Sequence, residues 1–556
     1  MNNRAKMGHK SPRVWSALAR IEAVRAATIL VAALALYAAT PATAQSQRTS
    51  YSNPVIAGDY PDPSVIRVGE DYWAATTTGT WAPHFSLLRS RDLVNWHAAG
   101  YVFRERPAWA KSDFWAPELV HDGGRFFVYY VARRDEGPKK SGTLCVGVAV
   151  APGPGGPYTD RGPLVCEIKE RRGVGSIDPD FVRDERGEPY LVWKADGNDA
   201  EPDEPTSIFA QPLSEDGTKL VGKRKEILRN TAPWERNVTE GSFVLRRGEW
   251  FYHFYSGNAC CGRACDYALG VARAKKLLGP WEKNPANPIV AANADWQCPG
   301  HGSIVSTPDG RDFLLYHSYR KRRDAFNVGR EAVLDEVAWG ADGWPSINAG
   351  RGPSTNATAP LGVSEVEPGE FFDDFDAAQL APEWQWPMDA RQSARVEPEA
   401  GGRLVLEAAQ PLPGDQFTGA AIARRTTSGD YTATALVALR GAAAGARAGL
   451  SAYSWREWSV GVAVGGGKVT VWRREGKDLR TPASADVPAV VEKIYLRMRA
   501  EGGERYRFAY SADGRAWNDL GGEVDGSYIE GARVALVAGG VGAARFDWIR
   551  ITQNGR

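Results

Sequence analysis

The chain has 556 residues with 68 basic and 67 acidic side chains, a net charge of only +1, too little to hold nucleic acid or an anionic membrane. That length exceeds one ordinary domain and calls for at least two. Its 20 tryptophans lie largely among Gly, Asp and Tyr, as suits faces on which sugar rings stack, although sheet packing accounts for most of them.

Residues 1–44 read as an export signal. Arg13, Arg20 and Arg25 precede the apolar run AATILVAALALYAAT, which ends in the small-residue site Ala42-Thr43-Ala44. The run is too short to favour a membrane span, and no later segment approaches the length of one. Cleavage after Ala44 would leave a periplasmic or extracellular protein. The stretch GDYPDPSVIRV follows, with Asp62 between Pro61 and Pro63 at a strand entrance. Proline restricts the residue before it, so Asp62 is expected to be held extended.

From Tyr51 to about Ile347, short runs rich in Val, Ile, Tyr, Phe and Trp alternate with Gly-containing turns, the pattern of antiparallel strands. Five loosely repeated units open at DPSVIRVGEDYWAATT, APELVHDGGRFFVYYVA, DPDFVRDERGEPYLVWKA, EGSFVLRRGEWFYHFYSG and HGSIVSTPDGRDFLLYHS. Repeats of roughly sixty residues with four strands each predict a five-bladed β-propeller over residues 51–349. The first strand of a blade lies innermost. Asp62, Asp178, Glu240 and His301 hold the equivalent place in four units and are expected to converge on one central funnel.

All six cysteines fall between Cys145 and Cys298. Cys145 and Cys166 suit one disulfide, and Cys260, Cys261, Cys265 and Cys298 suit up to two of open connectivity. A zinc site in CCGRAC is disfavoured because the CxxC spacing is absent. Residues 350–369 are rich in Pro, Gly, Asn and Thr and read as a linker. Alternating strands without the blade period then fill residues 370–553, a β-sandwich of the lectin-like jelly-roll kind.

Taken together, YPDPSVIRVGEDYW, WAPEL, SIDPDFV with GEPYLVW, TEGSFVL, PGHGSIV with YH, and VGREAVLDEVAW with DGWP resemble glycoside hydrolase family 43. DDFDAAQLAPEWQW and SADGRAWNDLG resemble the concanavalin-like accessory domain of its β-xylosidase branch. The resemblance implies a five-bladed propeller that hydrolyses glycosides in a single displacement with inversion. It gives Asp62 as general base, Glu240 as general acid and Asp178 as the third carboxylate, which tunes the acid by like-charge repulsion.

Arg330 matches an arginine reaching into the substrate site. His301 matches a histidine near the propeller axis, beside water or a bound cation such as a structural calcium; no cofactor is required. Trp115 is a candidate sugar-stacking wall, and Trp81 and Phe85 are candidates of the same kind. The loop CCGRACDYALG departs from the family pattern. The sequon at Asn237 lies so close to Glu240 that a glycan there would obstruct the site.

The implied substrate is an oligo- or polysaccharide of plant cell walls, with β-xylose or α-L-arabinofuranose released from non-reducing ends. Endo-arabinanase or exo-galactanase action is the alternative among enzymes. A non-catalytic carbohydrate-binding propeller is the alternative outside them, disfavoured by the intact Asp62, Asp178 and Glu240.

Overall fold

Hairpins dominate because apolar runs are broken by residues that turn the chain sharply. Gly123 and Gly124, at φ 55° and 73°, form the two-residue turn between strands Ala110–Asp122 and Arg125–Arg134. Two left-handed residues in succession match the twist of a tight hairpin, and only glycine takes them without strain. The computed structural model describes residues 47–554 except 136–141, 167–173, 200–204, 365–369, 389–391, 398–400, 409–415, 441, 442, 444, 456 and 489. The expected signal segment, 1–44, lies outside the described residues. Among those described, helix is confined to Ala325–Val328 and three 3-10 turns, so the protein is all-β.

Five four-stranded antiparallel sheets follow one another along the chain. Their opening strands are Ser64–Val68, Ala110–Asp122, Ser176–Arg183, Thr239–Arg247 and Trp296–Ser306. Each opening strand contacts the next, and the fifth contacts the first, so the five close a ring. A separate apolar core fills each gap between neighbouring sheets. Phe85 and Leu87 meet Phe114 and Tyr130 in the first gap, and Val65 and Leu88 meet Phe313 and Leu334 in the last. Strands inside a sheet are therefore covered on both faces. That is why Arg125–Arg134 reads as the nearly unbroken apolar run FFVYYVA rather than alternating.

The C-terminal region forms sheets of nine and six strands that enclose one core, including Ile422, Leu450, Leu496, Leu536 and Phe546. Here alternation is strict: Ile494, Leu496, Met498 and Ala500 of strand Lys493–Glu501 point inward. Within 350–369, Asn356–Ser364 is a strand paired with Gln47–Ser52.

The sandwich packs directly on the sheet ring. Trp81 is buried against Phe417, Tyr453 and Trp472, with the Arg533 guanidinium 4.3 Å from its ring centroid. Arg425 Nε donates to Asp59 O at 2.7 Å, and the Asn327 side-chain amide donates to Tyr506 Oη at 3.1 Å. Asp59 lies three residues before Asp62, and Asn327 three before Arg330, so the sandwich braces two loops of the site described next.

Candidate active site

Each opening strand carries a left-handed residue at or near its start where it faces the site: Asp62 at φ 53°, just before its strand, Ala116 at 42°, Asp178 at 52°, Gly241 at 62° and His301 at 40°. In the last four strands this residue sits at a β-bulge, where the ladder skips from Trp115 to Glu118, from Ile177 to Asp180, from Glu240 to Phe243 and from Gly300 to Gly302. A bulge re-aims side chains toward the end of a sheet, and strained backbone of this kind gathers at functional sites. Asp62 is thus not extended, as its two prolines led us to expect. It has crossed into the left-handed region, which aspartate tolerates better than most residues. Gly241 is required twice over, since its φ is positive and a Cβ there would lie 2.9 Å from the His301 ring.

These turns bring Asp62, Asp178, Glu240, His301 and Arg330 into one cavity of about 620 Å³, together with Trp115. Asn237 lines it too, as the discounted sequon requires. Trp81 and Phe85 do not reach it: Trp81 is buried under the sandwich and Phe85 between the first two sheets. Neither is a stacking wall. Trp115 is half-buried against Ala116, Leu144 and Ile177, which leaves ring surface for the cavity.

Asp62 accepts hydrogen bonds from Thr77 Oγ1 at 2.7 Å and Arg330 Nη1 at 3.2 Å. Burial alone would push its carboxyl up, but Arg330, His317 and His301 outweigh burial and hold it well below the usual carboxylate range. Arg330 is the largest of these. The Asp62 N–H already donates to His317 Nδ1 at 3.2 Å, and burial pushes that imidazole down to about 4, so His317 is neutral at pH 7.

Asp178 accepts the Gly241 N–H at 2.8 Å, which fixes the backbone beside Glu240. Burial, helped by the Glu240 charge, pushes Asp178 up to about 6 against the pull of His301 and Lys194. Glu240 meets the Lys194 ammonium at 2.5 Å, and Lys194 also donates to Asp196 at 3.0 Å. Lys194 is fully buried, and those carboxylates keep it charged despite the desolvation that opposes charge. Like-charge repulsion from Glu240 thus bears on Asp178, while the Lys194 cation sits on Glu240.

His301 Nδ1 lies 3.5 Å from Asp62 Oδ1 and 4.0 Å from Asp178 Oδ2, and so faces two carboxylates. Among the described residues no three His, Cys, Asp or Glu side chains are grouped to hold a metal ion.

Sequence reasoning missed Lys194, Thr77 and His317. Lys194 had a signal, a lysine closing the apolar strand YLVW, since lysine is almost never fully buried without a partner. Thr77 had none. The cysteines pair as Cys145–Cys166, Cys260–Cys261 and Cys265–Cys298. Among the described residues no helix is long and apolar enough to cross a membrane.

Carboxyl groups held in different electrostatic settings around a sugar-sized cavity are what cleavage of a glycosidic bond asks of a protein, and they define the class, a glycoside hydrolase. The chain belongs to the glycosyl hydrolases family 43, whose pattern matches residues 51–345; that of the beta xylosidase C-terminal concanavalin A-like domain matches 372–552. It is similar to the xylosidase/arabinosidase 43B of Humicola insolens, at 28% identity over 86% of this chain and 90% of that protein. A putative beta-xylosidase of Escherichia coli K12 is 27% identical over 84% of this chain and 90% of its own length. Among solved structures, the GH43 protein BlXynB of Bacillus licheniformis superposes with a TM-score of 0.76 at 27% identity, covering 91% of this chain and all of that one.

Proposed function

We propose that the protein is an exported, inverting glycosidase that releases β-xylose or α-L-arabinofuranose from the non-reducing ends of plant cell-wall pentose glycans. In this reading the five sheets over 51–349 are the blades of one propeller, and residues 370–553 are its accessory sandwich. The closed ring of opening strands and the five cores between sheets support five blades. The three disulfides support export to an oxidising compartment. The relatives named as xylosidases and arabinosidases support a pentose substrate. The cavity volume suits a terminal sugar rather than a long bound chain.

The contrast between Asp62 and the Asp178–Glu240 pair carries the mechanism. Asp62, kept ionised by Arg330, serves as general base and takes a proton from the attacking water. Thr77 fixes its other oxygen, leaving the carboxylate little freedom to rotate. Glu240 serves as general acid and gives its proton to the departing oxygen. Asp178 and Lys194 oppose each other over that proton: Lys194 favours the Glu240 carboxylate, while Asp178, itself pushed up to about 6, favours the Glu240 acid. The developing charge on the leaving oxygen draws the Glu240 proton across as the glycosidic bond breaks.

A panel of nitrophenyl glycosides followed by proton NMR tests this reading. Turnover of β-xyloside or α-L-arabinofuranoside with an inverted first-formed anomer is expected. A retained anomer, or binding without turnover, overturns it.

A further inference from the structure

Loop residues Asn258–Asp266 join the second and third strands of the fourth sheet and carry CCGRAC, the stretch outside the family pattern. Cys260 and Cys261, adjacent in sequence, are bonded to each other, and both line the catalytic cavity, Cys261 exposed and Cys260 half-buried. The loop is tied down on three sides. Cys265–Cys298 joins it to the strand that carries His301. Arg263 Nη2 donates to Ser527 O of the sandwich at 2.7 Å. Asp266 pairs with Arg236 at 2.9 Å. A wall so anchored keeps its place when a ligand enters, which is what a binding surface needs.

A disulfide between neighbours closes a small ring of sulfurs, methylenes and one peptide. Its sulfur face is soft, polarizable and free of strong hydrogen-bond donors, so it can meet the C–H face of a sugar as an aromatic ring does. We propose that the Cys260–Cys261 ring contacts the leaving-group sugar and thereby selects substrates on that side of the scissile bond. The position follows from register. Glu240 pairs with Ser256 and Thr239 with Gly257, so Asn258 continues directly from the cross-strand neighbour of the general acid. In an inverting site the acid stands on the leaving-group side and the base, with its water, on the other. Trp115 belongs to the base: the next residue's N–H, of Ala116, donates to the same Thr77 hydroxyl that binds Asp62. The cavity thus has an indole wall for the sugar being attacked and a disulfide wall for the sugar that departs. This rests on the acid role given to Glu240 above.

The test compares wild type with Cys260→Ala/Cys261→Ala, leaving Cys265 and Cys298 in place. The substrates are a pentose disaccharide, which fills both sides, and the free monosaccharide as inhibitor, which fills one. The variant's KM for the disaccharide should rise about tenfold, as expected for one lost apolar contact, with the monosaccharide Ki changed less than about twofold. An unchanged KM, or equal change in both constants, overturns the proposal. Non-reducing peptide mapping of the wild type adds a measurement that needs no variant. A bond closed within the Cys260–Cys261 dipeptide supports the ring, and pairing of either residue with Cys265 or Cys298 removes it. If the wild type cleaves no glycoside at all, the enzymatic reading falls. If it cleaves normally and the variant matches it, only the ring's role falls.

Discussion

Asp178 and Asp180 lie two residues apart on one strand, yet their surroundings differ sharply. Asp178 faces the cavity, with His301 and Lys194 pulling against burial, and its carboxyl reaches about 6. Asp180 lies deeper in the ring beside Glu118 and accepts the Val244 N–H at 2.9 Å. Burial and the Glu118 charge hold it well above the carboxylate range, while Glu118 itself is pushed up to about 8. Asp62 completes the series at the other extreme, held low by Arg330. Burial by itself makes a neutral acid; a cation within reach makes a base. One ring therefore holds a carboxyl kept ionised, one raised to about 6 and a deeper pair pushed toward the protonated form, set apart by where Arg330, Lys194 and the two histidines fall.

The largest effect should come from exchanging carboxyl for amide in each set. Asp62→Asn should lower kcat by about 10³-fold or more, since the base is lost and Arg330 faces a neutral group. Asp180→Asn should stay within a few-fold of wild type. Steady-state kinetics with folding checked by circular dichroism decides between them, and equal losses would erase the distinction between the two sets.

Glu240→Gln comes next. On a glycoside with a poor leaving group, turnover should fall by about 10²-fold or more, and on an activated nitrophenyl glycoside much less, because acid help matters most when the departing oxygen is basic. Equal losses on both would take the acid role from Glu240.

A smaller effect follows from Lys194→Met. Removing a cation beside a carboxyl raises that carboxyl's pKa, so Glu240 should keep its proton to higher pH. The alkaline limb of the kcat/KM profile should move upward while kcat falls by about tenfold from the lost anchoring of Glu240 and Asp196. An alkaline limb that stays put would separate Lys194 from the acid's titration.

The sheets, the sandwich and the three carboxylates were legible in the sequence because each repeats a local signal: an apolar run, a turn, an acidic residue at a unit's start. The bulges were not, since the left-handed turn at Asp62 or Asp178 is imposed by the ring closing around it rather than by the flanking residues. The lysine on Glu240 was hidden for a related reason. Lys194 reaches Glu240 from a neighbouring sheet, 46 residues away in the chain. Trp81 and Phe85 misled because an aromatic near a site motif reads alike whether it faces a sugar, the sandwich, as Trp81 does, or a neighbouring sheet, as Phe85 does.

The last prediction isolates the protonated pair from catalysis. Glu118 is half-buried where the opening strands enclose a second cavity, and it touches none of the groups given roles in turnover. Its carboxyl is raised from 4.5 to about 8, first by burial, so between those values the native protein holds a proton that the unfolded chain has released. Stability must then fall as pH rises through that window, because deprotonation favours the unfolded state. Glutamine keeps the shape and cannot titrate. Glu118→Gln should therefore match wild type near pH 4.5, where both side chains are neutral, and gain a Tm advantage of about 2 °C by pH 8.5. Activity at neutral pH should change less than about twofold, the smallest effect of the set. Thermal scans across pH settle the matter: parallel curves for variant and wild type would mean that Glu118 is already ionised in the folded protein, and that the two sets of carboxyls do not differ as their surroundings require.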